Sequence, residues 1–387
     1  MRILVDFLPL LPRGGGLQNA RNLWRTIDRL GGDHEWLALA RPGLGLEPER
    51  GPHHEVRTLD PGSLPARLRV ENLRIPALAR SWRADVVWTP MGAGPLRAPV
   101  PRVMGWHDST VAYPESPVHA RLRAGERLHE SLRGWMARTA ARGAAAITVQ
   151  TATMRRRLAR LWALPESRFH LVPNGPSTFL VDEPPAPAGA PPVPTVLVVA
   201  EAKPAKNLEI VPEVAAELRR RSSADVRWIL TVGPLGDPWT RLLDEAVART
   251  GADVPLERVG RVPHEALGDL YRSASVVFLP SHFESFSATY LEAMHFGVPL
   301  VTSDRDFARD LCADAALYAD PLDPTDCAVQ LLRALDDTGE RARLRDAGFR
   351  RLADFPDWTE RYRRYVAALE VAVHGADSAR AVAGVDA

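Results

Sequence analysis

Cysteine is nearly absent from this chain. The two present, Cys312 and Cys327, lie in the same half and have no C-x-x-C spacing. That argues against a disulfide framework or a zinc site, and a reducing cytoplasm is the expected location. No charge of one sign prevails either: 49 Lys+Arg stand against 48 Asp+Glu, for a net charge of +1. The chain therefore lacks the global basic field that nucleic acid would call for. No apolar run reaches about 18 residues, so no segment is expected to span a membrane. The opening MRILVDFLPLLP is broken by Asp6 and prolines and is followed by no small-residue cleavage site, so it reads as a strand rather than a secretory signal. No internal repeat is visible. What remains is an ordinary globular balance, 45% hydrophobic and 25% charged, in 387 residues, a length at which two domains are the default.

The first half alternates short apolar runs with longer amphipathic ones. Strands are expected at Ile3–Phe7, Trp36–Ala40, Asp85–Thr89, Arg102–Trp106, Ala145–Val149 and Phe169–Val172. Helices are expected near Leu17–Leu30, Leu64–Ser81, Val118–Ala141 and Thr151–Leu161. Strand and helix in alternation imply βαβ units and a parallel sheet. DEPPAPAGAPPVP, residues 182–194, cannot form a regular ladder and reads as a linker over 181–194. The rhythm then restarts with strands at Thr195–Glu201, Val226–Val232, Leu256–Val259, Ser275–Leu279 and Pro299–Thr302.

The richest stretch is Pro280–Asp304, PSHFESFSATYLEAMHFGVPLVTSD: a polar loop after an apolar strand, then a helix, then another strand. Open α/β sheets bind ligands at the carboxyl ends of their strands, where such a loop lies. With a helix start near Ser287, the amides of Phe286, Ser287 and Ala288 have no intrahelical partner and form an anion site. Glu284 precedes that helix, and Glu292 lies about 7.5 Å along its axis from Ser287, at ~1.5 Å per residue. A carboxylate on each side of a phosphate site suits a ligand with hydroxyls at both ends and phosphate between. A nucleotide-sugar is such a ligand.

The block P-S-x-x-E-S-F-x-x-x-x-L-E-A-M-x-x-G-x-P-L-V-x-S-D closely resembles the retaining glycosyltransferases of family 4, which have the GT-B fold. That resemblance implies an α/β protein of two Rossmann-like parallel-sheet domains facing a central cleft. The expected organisation is an acceptor-side domain over 1–180, completed by a C-terminal helix over 357–374, and a nucleotide-sugar domain over 195–355. A disordered tail is expected over 375–387.

Lys203 and Lys206 in EAKPAKNLEI follow a strand and match the family's K-P-x-K-N element. Two ammonium groups there are placed to neutralise a departing diphosphate. The family often has Arg where this chain has Glu201. Gly14, Gly15 and Gly16 follow the first strand and precede a helix. Glycines let a backbone approach a ligand closely, and the family has a Gly-rich loop here against donor phosphate or acceptor, with Arg13 nearby. A dinucleotide fingerprint fails because Asn19 occupies its last position. The family's H-D pair matches His107 and Asp108, with His107 facing the sugar and Asp108 orienting loops. Gly260 and Arg261 stand where the family places the nucleotide base, and Gly233 similarly ends a strand. Asn174 and Gly175 read as a turn.

Two features invite other readings. Asp304-Arg305-Asp306 imitates a D-x-D metal motif, but it falls where the family has S-D without metal. The Arg-rich helix with Arg121, Arg123, Arg127, Arg133, Arg138 and Arg142 suggests anionic lipid, yet Glu126 and Glu130 interrupt it and it reads as a solvated face.

The resemblance implies transfer of a sugar, with retention of configuration, from a nucleotide-sugar to a small-molecule, lipid-linked or saccharide acceptor, with no metal or other cofactor and no nucleic acid partner. His107, Glu284 and Lys206 are the candidate catalytic residues. Gly15, Gly16, Lys203, Gly260, Arg261, Ser285, Phe286, Ser287, Ala288 and Glu292 are the candidate donor-binding ones. The acceptor is expected at loops around Leu8–Gly16 and Asp108–Pro117. A nucleotide-sugar epimerase or phosphorylase of the same fold, and a non-catalytic nucleotide-sugar binder, are the alternatives. The first two lack the K-P-x-K-N and E-S-F-x-x-x-x-L-E-A-M pairing, and the third would bind without turnover.

Overall fold

The computed structural model describes residues 1–12, 14–46, 50–176, 191–234, 236, 240–250 and 256–375. Arg13, most of the expected linker and all of the expected tail except Gly375 lie outside the described residues. The chain forms two compact units. Unit 1 takes Met1–Ala112, Leu122–Asn174 and the chain from Pro356 onward, and unit 2 takes Gly175–Phe355 together with Tyr113–Arg121.

Unit 1 holds seven strands: β1 (Arg2–Asp6), β2 (Glu35–Ala40), β3 (His54–Thr58), β4 (Val86–Thr89), β5 (Arg102–Gly105), β6 (Ala146–Val149) and β7 (Phe169–Leu171). Every pairing is parallel and the order is β3-β2-β1-β4-β5-β6-β7. Its helices in this part are α1 (Gly14–Leu30), α2 (Leu64–Arg69), α3 (Ile75–Ser81), α4 (Ala124–Gly143) and α5 (Ala152–Trp162). β4, β5 and β6 are buried along their whole length, as strands covered on both faces must be. β3 is unforeseen because HEVRT is a half-exposed edge strand with no apolar run.

Three helices depart from expectation. α4 begins at Ala124 rather than near Val118, because Pro117–Arg121 forms a separate 3-10 turn. The single helix expected over Leu64–Ser81 is interrupted by a π-turn at Val70–Arg74, where Ile75 N–H donates to Val70 O, five residues back. Pro76, without an N–H, cannot supply the ordinary bond to Asn72 O. α1 begins at Gly14, so Gly14–Gly16 form its first turn rather than a loop before it. The backbone is crowded there: a Cβ added to Gly16 would lie 3.3 Å from Leu10 Cδ2.

Unit 2 holds β8 (Thr195–Val198), β9 (Arg227–Leu230), β10 (Leu256–Arg258), β11 (Val276–Leu279), β12 (Leu300–Ser303) and β13 (Leu317–Ala319), all parallel, in the order β10-β9-β8-β11-β12-β13. Its helices are α6 (Val211–Arg221), α7 (Arg241–Thr250), α8 (His264–Arg272), α9 (Ala288–His295), α10 (Asp306–Cys312), α11 (Pro324–Asp336) and α12 (Thr338–Leu352). β13, only three residues long, is the second unforeseen strand.

The last described helix, α13 (Trp358–His374), belongs to unit 1. Asp357 caps it by accepting Glu360 N–H at 2.7 Å. Tyr362 packs 6.1 Å from Trp36 and Tyr365 4.9 Å from Trp88, ring to ring, and Leu369 joins the same core.

Candidate functional site

The strand order places the site. In unit 2 the chain runs from β8 to β9 on one side and from β11 to β12 on the other, so β8 and β11 flank the topological switch point. A crevice opens at the carboxyl ends of such a strand pair. The loop after β8 carries Lys203 and Lys206, and the loop after β11 carries Ser281, His282, Phe283 and Glu284. His282 N–H donates to Ala205 O at 2.7 Å, tying the two loops together.

Across that tie, Lys206 Nζ lies 2.5 Å from Glu284 Oε1, and Ser281 Oγ donates to the same oxygen at 2.8 Å. Both side chains of the ion pair are mostly buried, 17% and 13% exposed. Lys206 is fixed by a 3-10 turn, Pro204–Lys206, that ends in a left-handed Asn207 (φ 52°) whose Nδ2 donates to Pro321 O at 2.7 Å. Asn tolerates that conformation better than most residues. Lys203 is exposed and pairs with Glu201 at 2.6 Å, holding the Glu201 carboxyl below its ordinary range with help from Lys206 and Arg261. Glu201, standing where the family often has Arg, thus partly neutralises Lys203. Lys203 and Lys206 are also the only two lysines in the chain, all other members of the 49 Lys+Arg being arginine.

α9 starts at Ala288, one residue later than expected, with Ser287 at its N-cap position, so Glu292 lies about 6 Å from Ala288 along the axis. Residues Thr289–His295 are all buried, so Glu292 is not on a solvated helix face. Tyr271 of α8, itself fully buried, donates its hydroxyl to Glu292 Oε2 at 2.7 Å and stacks on Phe296 at 5.3 Å. Burial and the Glu292 charge push the Tyr271 phenol well above its ordinary pKa, so it remains a donor. Tyr271 was not foreseen; on an amphipathic helix a tyrosine reads as core.

Ser285 and Phe286 are half-buried and Phe286 meets Phe355 edge to face at 5.8 Å. Gly260 closes β10 with φ 75°, a conformation that favours glycine, and its N–H donates to Val232 O. Arg261 next to it is exposed, as befits a side chain within electrostatic reach of Glu201. Of the two apparent metal ligands, Asp304 accepts a forked pair of bonds from Arg309, and Asp306 accepts from Tyr113 Oη and Phe307 N–H. Among the described residues no cluster of three His, Cys, Asp or Glu side chains forms a metal site.

Tyr113–Arg121, inside the stretch expected to belong to the first domain, packs in unit 2. Tyr113 stacks on Phe283 at 5.5 Å with the planes 11° apart, His119 stacks on the same ring at 6.4 Å, and Arg121 pairs with Glu209. The strap therefore touches the residue before Glu284 and the helix turn after Lys206. His282 beside it is buried, its Nε2 has no hydrogen-bond partner among the described residues, and burial with Arg121 and Arg305 lowers its pKa to about 4.

In unit 1, His107 follows β5 and is half-buried; desolvation, then the charge of Arg361, lowers its pKa to about 3 and keeps the ring neutral. Asp108 accepts Thr110 N–H at 2.8 Å and pairs with Arg133. Arg361, from α13, is 1% exposed, donates to Asn174 Oδ1 at 2.7 Å and Asn19 Oδ1 at 3.4 Å, and lies 3.9 Å over the Trp358 ring. Asn174, read from sequence as a turn, is thus a ligand of a buried arginine. Gly15 and Gly16 sit at the start of α1, three residues before Asn19 in the latter case.

Residues 13–178 match the family described as Glycosyltransferase Family 4, and residues 186–351 match Glycosyl transferases group 1. Among curated proteins, the D-inositol 3-phosphate glycosyltransferase of Nocardia farcinica is 31% identical over 224 residues, 54% of this chain and 48% of that protein. The O-antigen chain mannosyltransferase B of Escherichia coli is 33% identical over 117 residues, 30% of this chain and 26% of that protein. The chain spans about half or less of the length of these relatives. Among solved structures, sucrose-phosphate synthase from Thermosynechococcus elongatus is similar with a TM-score of 0.72 at 17% identity, over 95% of this chain and 98% of that one. Anabaena HepE, in complex with UDP and glucose, gives a TM-score of 0.68 at 15% identity, over 96% and 99%. At such identities the likeness speaks to the fold alone. With two parallel sheets of this topology and matches taking in both 13–178 and 186–351, the chain belongs to the family-4, group 1 glycosyltransferases of the GT-B fold.

Proposed function

We propose that the protein transfers a glycosyl group from a nucleoside-diphosphate sugar to an acceptor hydroxyl with retention of anomeric configuration and without a metal ion. The observation that carries this reading is the Lys206–Glu284 pair at the switch point, beside the start of α9. An ammonium has three N–H donors, so Lys206 holds Glu284 with one and offers others to the diphosphate. Both donors to Glu284 converge on Oε1, which leaves Oε2 for a donor-sugar hydroxyl. The α9 N-terminus, with Phe286, Ser287 and Ala288, receives phosphate oxygens, and Glu292, steadied by Tyr271, receives the ribose hydroxyls. Gly260 and Arg261 border the base.

In the reaction the bond from the anomeric carbon to the diphosphate oxygen breaks, and the acceptor oxygen bonds to that carbon on the same face. The acceptor proton passes to the departing phosphate. Lys203 and Lys206 stabilise the charge that develops there, and Glu284 steadies the sugar cation. Neutral His107 is assigned as a hydrogen-bond partner of a substrate, and Gly15 and Gly16 as a point of close backbone approach. The two relatives named for sugar transfer and the solved neighbour named for a complex with UDP and glucose support this choice of ligand class.

The test is a thermal-shift screen of UDP-, GDP- and dTDP-sugars, followed by turnover with the stabilising donor. A ligand at 100 times its Kd adds about 2.7 kcal/mol of stability. Release of nucleoside diphosphate with a product of unchanged anomeric configuration, read by NMR, is expected. Inversion, or binding without turnover across an acceptor panel, would overturn the proposal.

A further inference from the structure

We propose that the outward face of α4 docks on an anionic lipid bilayer. α4 is 20 residues long, or about 30 Å, and buries Ala137, Ala140 and Ala141 on its inner side. On the opposite side Leu128, Leu132 and Trp135 are 62%, 53% and 63% exposed. Their spacing, i, i+4 and i+7, puts all three on one stripe. At about 100° per residue, Arg127, Arg138 and Arg142 border one side of that stripe and His129 the other. Among the described residues none of these three arginines pairs with a carboxylate.

The two acids that interrupt the basic series in sequence do not interrupt this face. Glu126 and Glu130 lie roughly 160° from the Leu128 direction. Glu126 Oε2 accepts Arg123 N–H at 2.7 Å in the first turn, and Glu130 pairs with Arg133. Where the sequence reads as a solvated face, the side of the helix centred on this stripe holds three exposed large apolar side chains, the exposed Arg127 and Arg142 and the half-buried Arg138, while Glu126, though exposed, lies on the other side.

That combination fits one occupant. Tryptophan and leucine side chains sink into the boundary between headgroups and acyl chains, while flanking arginines meet lipid phosphates. A second copy of the chain on a two-fold axis would instead bring the arginines of the two copies together, with no acid on this side to offset them. Among the described residues no helix is long and apolar enough to cross a membrane, so the contact lies along the surface.

Flotation of the full chain with vesicles tests the proposal independently of glycosyl transfer. Wild type should float with vesicles of phosphatidylcholine and phosphatidylglycerol, less so as salt is raised, and not with phosphatidylcholine alone. Arg127→Gln, Arg138→Gln and Arg142→Gln should each weaken binding about fivefold. Leu132→Glu and Trp135→Glu should weaken it about tenfold or more while keeping the wild-type melting midpoint, since both positions are exposed. Failure of the folded wild type to float, equal binding to both vesicle types, or undiminished flotation of Leu132→Glu and Trp135→Glu would each overturn it. So would a wild-type dimer, seen by sedimentation and dissociated by Leu132→Glu, with no flotation.

Discussion

Lys206 and Glu284, 78 residues apart in sequence, meet at 2.5 Å from the loops after two neighbouring strands of one sheet. Each is thereby part of the other's environment. Lys206→Ala should lower kcat/KM roughly ten- to a thousandfold through the lost charge at the leaving group. A folded variant that keeps full activity would put the diphosphate elsewhere. Lys203→Ala should lower activity too.

The two glutamates separate by ligand. Glu284→Gln should depress kcat more than it raises donor KM, whereas Glu292→Ala should weaken nucleotide binding by about 1.5–3 kcal/mol, the worth of hydrogen bonds to a charged acceptor. Calorimetry with free nucleoside diphosphate should show affinity nearly unchanged in the first variant and clearly lower in the second. Tyr271→Phe should follow Glu292→Ala in direction. The reverse pattern would place the donor the other way round.

Chemical labelling offers a test that few chains allow. With Lys203 and Lys206 as the only lysines, an amine reagent such as pyridoxal phosphate with borohydride has two side-chain targets and the N-terminal amine. Nucleoside diphosphate should protect Lys206 strongly and Lys203 at least in part, as read by mass spectrometry of the digest. Equal labelling with and without a ligand known to bind would put the diphosphate elsewhere.

Chelator should leave activity within about twofold, since ammonium groups and helix amides take the cation's place. Loss of activity in EDTA, restored by Mg²⁺ or Mn²⁺, would reopen Asp304 and Asp306 as ligands.

His282 is buried with its pKa lowered to about 4, so the unfolded chain binds a proton that the folded one refuses. The stability this confers is present above the unfolded value of about 6.5 and is lost as pH falls towards 4. His282→Gln should flatten the acid-side loss of stability in that window, by up to about 1.4 kcal/mol per pH unit. Denaturant titrations at several pH values measure the slope, and identical slopes would show that the ring is protonated in the folded protein.

Much of this architecture is legible in the sequence because parallel strands buried on both faces read as apolar runs: VVFL, TVLV and AITV announce themselves. HEVRT and LYA do not, one being a half-exposed edge and the other too short to show a pattern. The site was legible as motifs and opaque as contacts. Spacing marks Glu284 and Glu292, but nothing local reveals that Lys206 holds one and Tyr271 the other, from loops and helices far along the chain. Likewise AYPESPVH around Tyr113 has the turn residues of a plain loop, and only tertiary packing makes its ring a lid on Phe283.

The crossed ownership of segments has a consequence for synthesis. Tyr362, Tyr365 and Leu369 fill the core beside Trp36 and Trp88, yet they leave the ribosome only after all of unit 2. Meanwhile Tyr113–Arg121, which completes unit 2, is made long before Phe283 exists. The nascent chain must therefore hold a seven-stranded sheet with an open apolar flank until Trp358–His374 has been made, and a truncation before Trp358 should yield an aggregation-prone protein rather than two independent folded halves.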